Sequence, residues 1–301
     1  VTAALALGTY RVRAVSQAAR TALAAGARWV DTAPNYAHGL AHQELASVLA
    51  AHPSVRVSTK TGFLTTAQGR AAVEANVLTP EQAGVGHSLD PAFVRWQTEQ
   101  SLSGLGRADL VFVHNPEQAV SGHDHTRLHG LLRGAFAVLE EFAQAGRIGG
   151  YGVATWSGLS SGALTVAELL GLAEQAAGSA SHHFSGLQLP VSLVMAEPIA
   201  RALDGGGPLV EAGDAGVITF ASAPLHGGEL PGLMTPELVD LIRPGLSAPA
   251  AALLAVASCP GLDVVLLSAS TANHWHDAEK TVAVPLERDR LRSVIDALAA
   301  G

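Results

Sequence analysis

Short runs rich in Val, Ile, Leu and Ala recur along the chain, and most are followed by longer Ala- and Leu-rich stretches in which polar residues return at helical spacing. The short runs are too continuous for half-exposed strands and too brief for helices, so they read as strands covered on both faces. They fall at Ala4–Gly8, Trp29–Asp31, Val55–Thr59, Leu110–His114, Gly149–Ala154, Phe184–Leu189, Gly216–Phe220 and Val264–Ser268. Between them the pattern predicts helices over Ser16–Ala25, His42–Ala50, Pro91–Leu105, Arg127–Ala145, Ser160–Ala176, Glu197–Leu203, Pro249–Ala257 and Asn273–Val282. A further helix is expected at Glu287–Ala300.

Eight strands alternating with covering helices over 301 residues is the layout of a (β/α)8 TIM barrel, a single α/β domain across 1–301. An open doubly wound sheet is the alternative, since alternation alone does not show closure. It lacks support at the first strand-to-helix junction, where GTYRVR stands in place of a Gly-rich dinucleotide fingerprint. Two polar stretches break the rhythm, at 64–90 after strand three and 224–249 after strand seven, and read as loop insertions. Loops after barrel strands lie on the catalytic face, which makes both of them candidate lids or pocket walls.

Composition narrows the function classes. A net charge of -8 leaves no basic footprint for nucleic acid, and one cysteine cannot form an intramolecular disulfide or a Cys-rich metal site. The longest apolar runs stop well short of a membrane span, and the first residues lack the pattern of a signal peptide, so a cytoplasmic protein is expected. Histidines cluster at His123, His125 and His129, at His182 and His183, and at His274 and His276. None has the spacing of a metal site, and no metal is expected; the first cluster reads as a shaper of the substrate mouth. Cys259 reads as a small buried hydrophobe.

The candidate chemistry sits at strand ends. Asp31 closes WVD, Tyr36 follows in DTAPNY, Lys60 ends VRVSTK and His114 ends DLVFVH. Barrel closure brings these ends onto one rim. A lysine beside a phenol is expected to favour the phenolate and lower its pKa, with a carboxylate holding the ammonium in place.

The sequence resembles the aldo-keto reductase superfamily. The resemblance is carried in order by Gly8–Tyr10, DTAPNYAHGLAHQEL at Asp31–Leu45, STK at Ser58–Lys60 and ADLVFVHNP at Ala108–Pro116. It continues through GRIGGYGVATW at Gly146–Trp156, LQLPVSLV at Leu187–Val194 and APLHGG at Ala223–Gly228. It implies a (β/α)8 barrel binding NADPH, with NADH as the alternative, and a catalytic tetrad of Asp31, Tyr36, Lys60 and His114. The implied reaction is reduction of the carbonyl, or the imine, of a small organic molecule. Tyr36 would donate the proton, Lys60 and Asp31 would tune it, and His114 would polarise the carbonyl.

The same resemblance places the cofactor against Gly8, Thr9, Tyr10, Asp31, Thr155, Gln188, Phe220, Ala221, Pro224, Leu225 and Gly227, and against Ser268, Ser270, Thr271, His274 and Asp277 after strand eight. The chain departs from the family in that half. The carboxamide-binding pair is Ala154–Thr155, and Val191 stands where an aromatic ring stacks on the nicotinamide, leaving Trp156, Phe220 or Trp275 to supply a platform. That departure keeps two other readings open: a redox-neutral lyase, dehydratase or isomerase using the same acid-base group, and a regulatory subunit without catalysis. The partner expected is a small-molecule carbonyl compound, acting on a monomer or weak homo-oligomer. The Ala- and Gly-rich composition resembles that of high-GC bacterial proteins, an association that suggests secondary metabolism.

Overall fold

The structure, a computed structural model, describes residues 2–120, 122 and 124–300. Eight parallel strands, β1 Ala4–Gly8, β2 Trp29–Asp31, β3 Arg56–Thr61, β4 Leu110–His114, β5 Gly150–Ala154, β6 Phe184–Pro190, β7 Ile218–Ser222 and β8 Val264–Leu267, pair in chain order and close β8 onto β1. The helices are α1 Val15–Ala24, α2 Ala41–Ala51, α3 Thr66–Glu74, α4 Pro80–Val85, α5 Pro91–Leu105, α6 His125–Gln144 and α7 Val166–Ala177. They continue as α8 Glu197–Leu203, α9 Pro208–Asp214, α10 Pro236–Ile242, α11 Ala248–Ala257, α12 Ala272–Val282 and α13 Arg288–Ala300. Closure decides between the two architectures the alternation allowed.

Side chains alternate along each strand, so one set fills the barrel and the other meets the helices. The inward set includes Trp29, Leu110, Phe112, Phe220, Val264 and Leu266, which form their own apolar cluster. Trp29 and Phe112 each meet Phe220 edge-on, at ring-centroid distances of 5.2 and 5.4 Å. Room for these rings comes from glycines on β5 and β6. A Cβ on Gly186 would lie 2.8 Å from the Phe112 ring, and one on Gly152 would collide with the Gly186 carbonyl. The aromatic layer plugs the barrel and leaves its upper end for polar groups.

The two stretches that read as insertions contain helices. Within 64–90, α3 and α4 each begin with a complete capping box, Thr65 with Gln68 and Thr79 with Gln82, and α4 has proline in its first turn. Those T-x-x-Q signals were present in the sequence, but the short apolar faces carry too little periodicity to stand out. Helix α10 lies within 224–249, again capped by a threonine, Thr235. No helix among the described residues is long and apolar enough to cross a membrane.

Candidate active site

The period-two alternation that sends Trp29 and Phe112 into the barrel floor sends Asp31 and His114 into its upper layer, two residues further along β2 and β4, and Gln188 lies two residues beyond the inward-facing Gly186 on β6. Lys60 on β3 joins them. Asp31 and Lys60 are 3% and 1% exposed, with Lys60 Nζ 2.5 Å from Asp31 Oδ2. The ammonium also donates to the Thr32 carbonyl at 2.9 Å. Asp31 Oδ1 accepts from Ser58 Oγ at 2.8 Å and Gln188 Nε2 at 3.0 Å. Partners from β3 and β6 therefore converge on the one β2 carboxylate, which is what a buried charge requires.

Tyr36 stands just beyond β2, where the chain turns sharply: Ala37, His38 and Gly39 all have positive φ. The turn is pinned from the segment after β3, since Gln68 Nε2 donates to the Pro34 carbonyl at 2.7 Å. Lys60 Nζ lies 5.0 Å from the centre of the Tyr36 ring, and the Tyr10 ring packs against that same ring, tilted, at a centroid distance of 5.2 Å. The sequence-based expectation of an acidified phenol is corrected here. Burial, then the Asp31 carboxylate, then Tyr10 push Tyr36 well above the ordinary 10, the carboxylate paired with Lys60 offsetting the lysine's pull toward the phenolate. Tyr36 is thus a protonated phenol across the neutral range.

His114 closes β4. Burial, the Lys60 ammonium and His87 hold it well below its ordinary 6.5, so it is a neutral imidazole. Its Nδ1 is buried with no hydrogen-bond partner among the described residues. A buried lone pair without a donor costs less than a buried N–H without an acceptor, which makes Nε2 the protonated nitrogen. The strand end is braced from the 64–90 segment: His87 Nε2 donates to the His114 carbonyl at 2.8 Å, and Phe63 meets both histidine rings edge-on. Gly62, at φ +133°, makes this possible, because a Cβ there would lie 2.9 Å from His87 Nε2. His42, held down to about 4 by burial and then by Lys60, shares a hydrogen bond with Thr59 Oγ1 at 3.0 Å behind the site.

A cleft of about 810 Å³ opens above these groups. Of the residues the sequence singled out, Gly8, Tyr10, Asp31, Tyr36, His114, Thr155, Gln188, Pro224, Leu225, Gly227 and Ser268 line it, as does Trp156. Thr9, Phe220 and Ala221 do not: all three are fully buried, Thr9 bonded to the Asp31 carbonyl and Phe220 part of the barrel floor. Ser270, Thr271, His274 and Asp277 are exposed around the start of α12, outside the cleft lining, and the Thr271 hydroxyl caps that helix through His274 N. Ser268 Oγ is turned to the Gly8 carbonyl at 2.7 Å. The suggested aromatic platforms separate likewise, since Trp275 is buried with its indole N–H on the Ala269 carbonyl. Val191 is buried too, and only Trp156, 45% exposed, reaches the cleft.

Thr155 lines the cleft, yet its hydroxyl is engaged elsewhere. It donates to Glu117 Oε2 at 2.9 Å and accepts from Gly158 N at 2.8 Å. Glu117 Oε1 accepts the backbone N–H groups of Trp156 and Ser157 at 3.0 and 2.9 Å. One carboxylate thereby ties the loop after β4 to the loop after β5. Sequence reasoning missed Glu117, Arg11 and His87. Glu117 and Arg11 were adjacent to recognised motifs, in HNPE and GTYR, whereas nothing local marks His87. Among the described residues Arg11 is the only Lys or Arg lining the cleft, and its guanidinium lies beside Gly227.

The expected substrate-mouth role of the first histidine cluster is corrected as well. His123 lies outside the described residues; Asp124 caps α6, and His125 and His129 stand in its first turns, away from the cleft. Among the described residues no group of three or more His, Cys, Asp or Glu is placed to hold a metal.

The sequence profile of the aldo/keto reductase family matches residues 4–166, more than half of the chain, a range that includes Asp31, Tyr36, Lys60 and His114. The chain belongs to this family. No curated protein matches the sequence significantly. Among solved structures, the barrel is similar to a glycerol dehydrogenase from Gluconobacter oxydans, with TM-score 0.71 and 19% identity over 98% of this chain and 91% of that one. An aldo-keto reductase from Klebsiella pneumoniae, solved in complex with NADPH, matches with TM-score 0.66 and 17% identity over 98% and 90%. A Bacillus halodurans aldo-keto reductase in its holo form gives 0.68 and 17% over 99% and 92%. These likenesses carry the family's fold across the chain's C-terminal half as well.

Proposed function

We propose that this aldo/keto reductase family member reduces the carbonyl group of a small organic molecule at the expense of NADPH, with Tyr36 as the proton donor. The observation that carries the reading is the pairing of a protonated phenol with a neutral imidazole on one cleft, above a lysine locked to Asp31. A carbonyl oxygen gaining negative charge during reduction needs a donor that holds its proton at neutral pH and a second donor to orient it. Tyr36 fits the first role and His114 Nε2–H the second. Lys60 acts on the oxyanion through its field and keeps the Tyr36 ring in place, while Asp31, Ser58 and Gln188 hold the lysine.

The cleft fits a nicotinamide dinucleotide in part. It runs from Gln188 and Asp31 out to the β7 loop, where Gly227 and Gly228 leave space for close approach and Arg11 offers a cation to a diphosphate. The NADPH complex of the Klebsiella relative supports that placement. When bound, the cofactor supplies the hydride. Gln188, lining the cleft, is positioned for the carboxamide, whereas Thr155 is not, its hydroxyl being held by Glu117. No lysine or arginine of the cleft lies on the β8 side, so discrimination for the 2′-phosphate rests on weaker contacts than elsewhere in the site.

Tyr36→Phe tests the assignment. It removes one hydroxyl from a ring already packed by Tyr10 and Lys60, so NADPH affinity by fluorescence titration should stay within about twofold, while aldehyde reduction falls by about 10²–10⁴-fold. Substantial turnover in the variant would assign the proton to another group.

A further inference from the structure

Beside the catalytic cleft lies a second cavity, of about 370 Å³, bounded by the loop after β5, the start of α7, the end of β6, and helices α8 and α9. It shares Thr155 and Trp156 with the cleft, so these two residues stand between the two spaces, and the Trp156 side chain is 45% exposed. Its walls are apolar, chiefly Leu159, Leu164, Leu189, Met195, Pro198 and Pro208. Its charges satisfy one another: Arg201 lies 3.4 Å from Glu197 and 3.8 Å from Glu211, all three about half exposed. An arginine between two carboxylates leaves the interior without a free cation to hold an anion.

The space opens to solvent past the half-exposed Arg201, Glu197 and Glu211, so it is accessible to a molecule from outside. Its volume falls in the range of small-molecule pockets, and its lining has their usual composition. The partition between the two spaces is also unusually well fixed. Glu117 takes the N–H groups of Trp156 and Ser157 and the hydroxyl of Thr155, anchoring that loop to the strand end that bears His114. Because the partition is set from the His114 side, whatever lies against Trp156 is held at a constant distance from the reacting groups.

We propose that the second cavity is a subsite for an uncharged apolar arm of the carbonyl substrate, which passes Trp156 while the carbonyl itself lies at Tyr36 and His114. The proposal rests on the reductase reading above and names its substrate class: carbonyl compounds with an aliphatic or aryl tail, rather than short polar sugars or acids. The arm adds no chemical step. It contributes binding free energy remote from the carbonyl, and that appears in kcat/KM.

The test is a series of unbranched alkanals of increasing length, from propanal to decanal, reduced with saturating NADPH. Once the tail reaches past Trp156, kcat/KM should rise about threefold to fourfold per added methylene. The readout is the decanal-to-propanal ratio of kcat/KM, which corrects for a general loss of activity. Leu159→Trp and Met195→Trp, both filling the cavity from half-buried positions, should collapse that ratio, while Leu159→Ile preserves it. Calorimetric titration with 1-octanol supplies a second measurement that does not need turnover, with binding expected in the wild type and lost in Leu159→Trp. A ratio unchanged by both Trp substitutions, or octanol binding that is absent or equal in wild type and variant, overturns the subsite. If octanol binds in the cavity-dependent way but no alkanal is reduced, the apolar site stands and the reductase reading fails.

Discussion

The Asp31–Lys60 pair offers the sharpest test of the physical reasoning, because it is almost wholly buried and its partners are known. Replacing one member leaves the other charge in the barrel interior, a change that costs about 3–5 kcal/mol in comparable buried pairs. Lys60→Met strands a carboxylate that still accepts from Ser58 and Gln188, placing it near the lower end of that range. Asp31→Asn strands an ammonium whose one remaining strong acceptor is the Thr32 carbonyl, placing it near the upper end. For a chain of this size each kcal/mol moves the melting temperature by about 2 °C, so shifts of about 6–10 °C are expected by circular dichroism. The double variant Asp31→Asn with Lys60→Met strands no charge and should melt well above the sum of the two single losses. The proton linkage adds a second signature. Burial lowers the Lys60 pKa and Asp31 opposes the fall; in Asp31→Asn that opposition is gone, and the folded-state value drops further below the unfolded one. The unfolded chain then binds more protons than the folded one, so stability rises with pH, and the variant should regain stability as pH rises toward the ordinary lysine value of 10.5 and level off above it. Single losses below about 1 kcal/mol, or strictly additive ones, would refute the claim that this pair holds the site together.

The pH profile of the proposed carbonyl reduction follows from the same environment. With Tyr36 pushed well above 10 and His114 held well below 6.5, kcat should be flat from about pH 6.5 to about pH 9, and an alkaline limb centred near neutrality would restore the acidified phenol that the sequence alone suggested. Cys259, whose thiol is pushed up to about 12 by burial, should resist thiol reagents in the native protein at about pH 8 and react once the chain is unfolded in urea.

Much of the architecture was legible locally because each strand is covered on both sides and each helix on one. Strands β1, β2 and β4 and helices α5 and α8 lie at the positions the hydrophobic pattern assigns them. One boundary moved because burial continues past the apolar run: β3 extends to Thr61, where Gln97 on α5 accepts from the Thr61 hydroxyl and Gly62 N–H, satisfying polar groups that looked like a loop. Helices α3, α4, α9 and α10 went unread because they are short, and their stability comes from caps and neighbours more than from an amphipathic face.

Residue identity and strand position were enough to nominate Asp31, Tyr36, Lys60 and His114, since a strand's period of two and a barrel's closure place such residues on one rim. Their protonation states were another matter. The pairing of Lys60 with Asp31 was expected, but whether the lysine acidifies the phenol depends on burial and on every charge around it, and only the folded chain shows how deeply Tyr36 is buried and that Asp31 and Tyr10 stand against it. The same holds for Thr155, whose hydroxyl any sequence reading would leave free, and for Phe220, which the alternation of a single strand cannot distinguish as floor or wall. Sequence determined which residues stand where a strand ends. Tertiary structure decided which partners they spend their hydrogen bonds and charges on, because those partners come from strands and loops distant in the chain and are fixed only when the barrel closes.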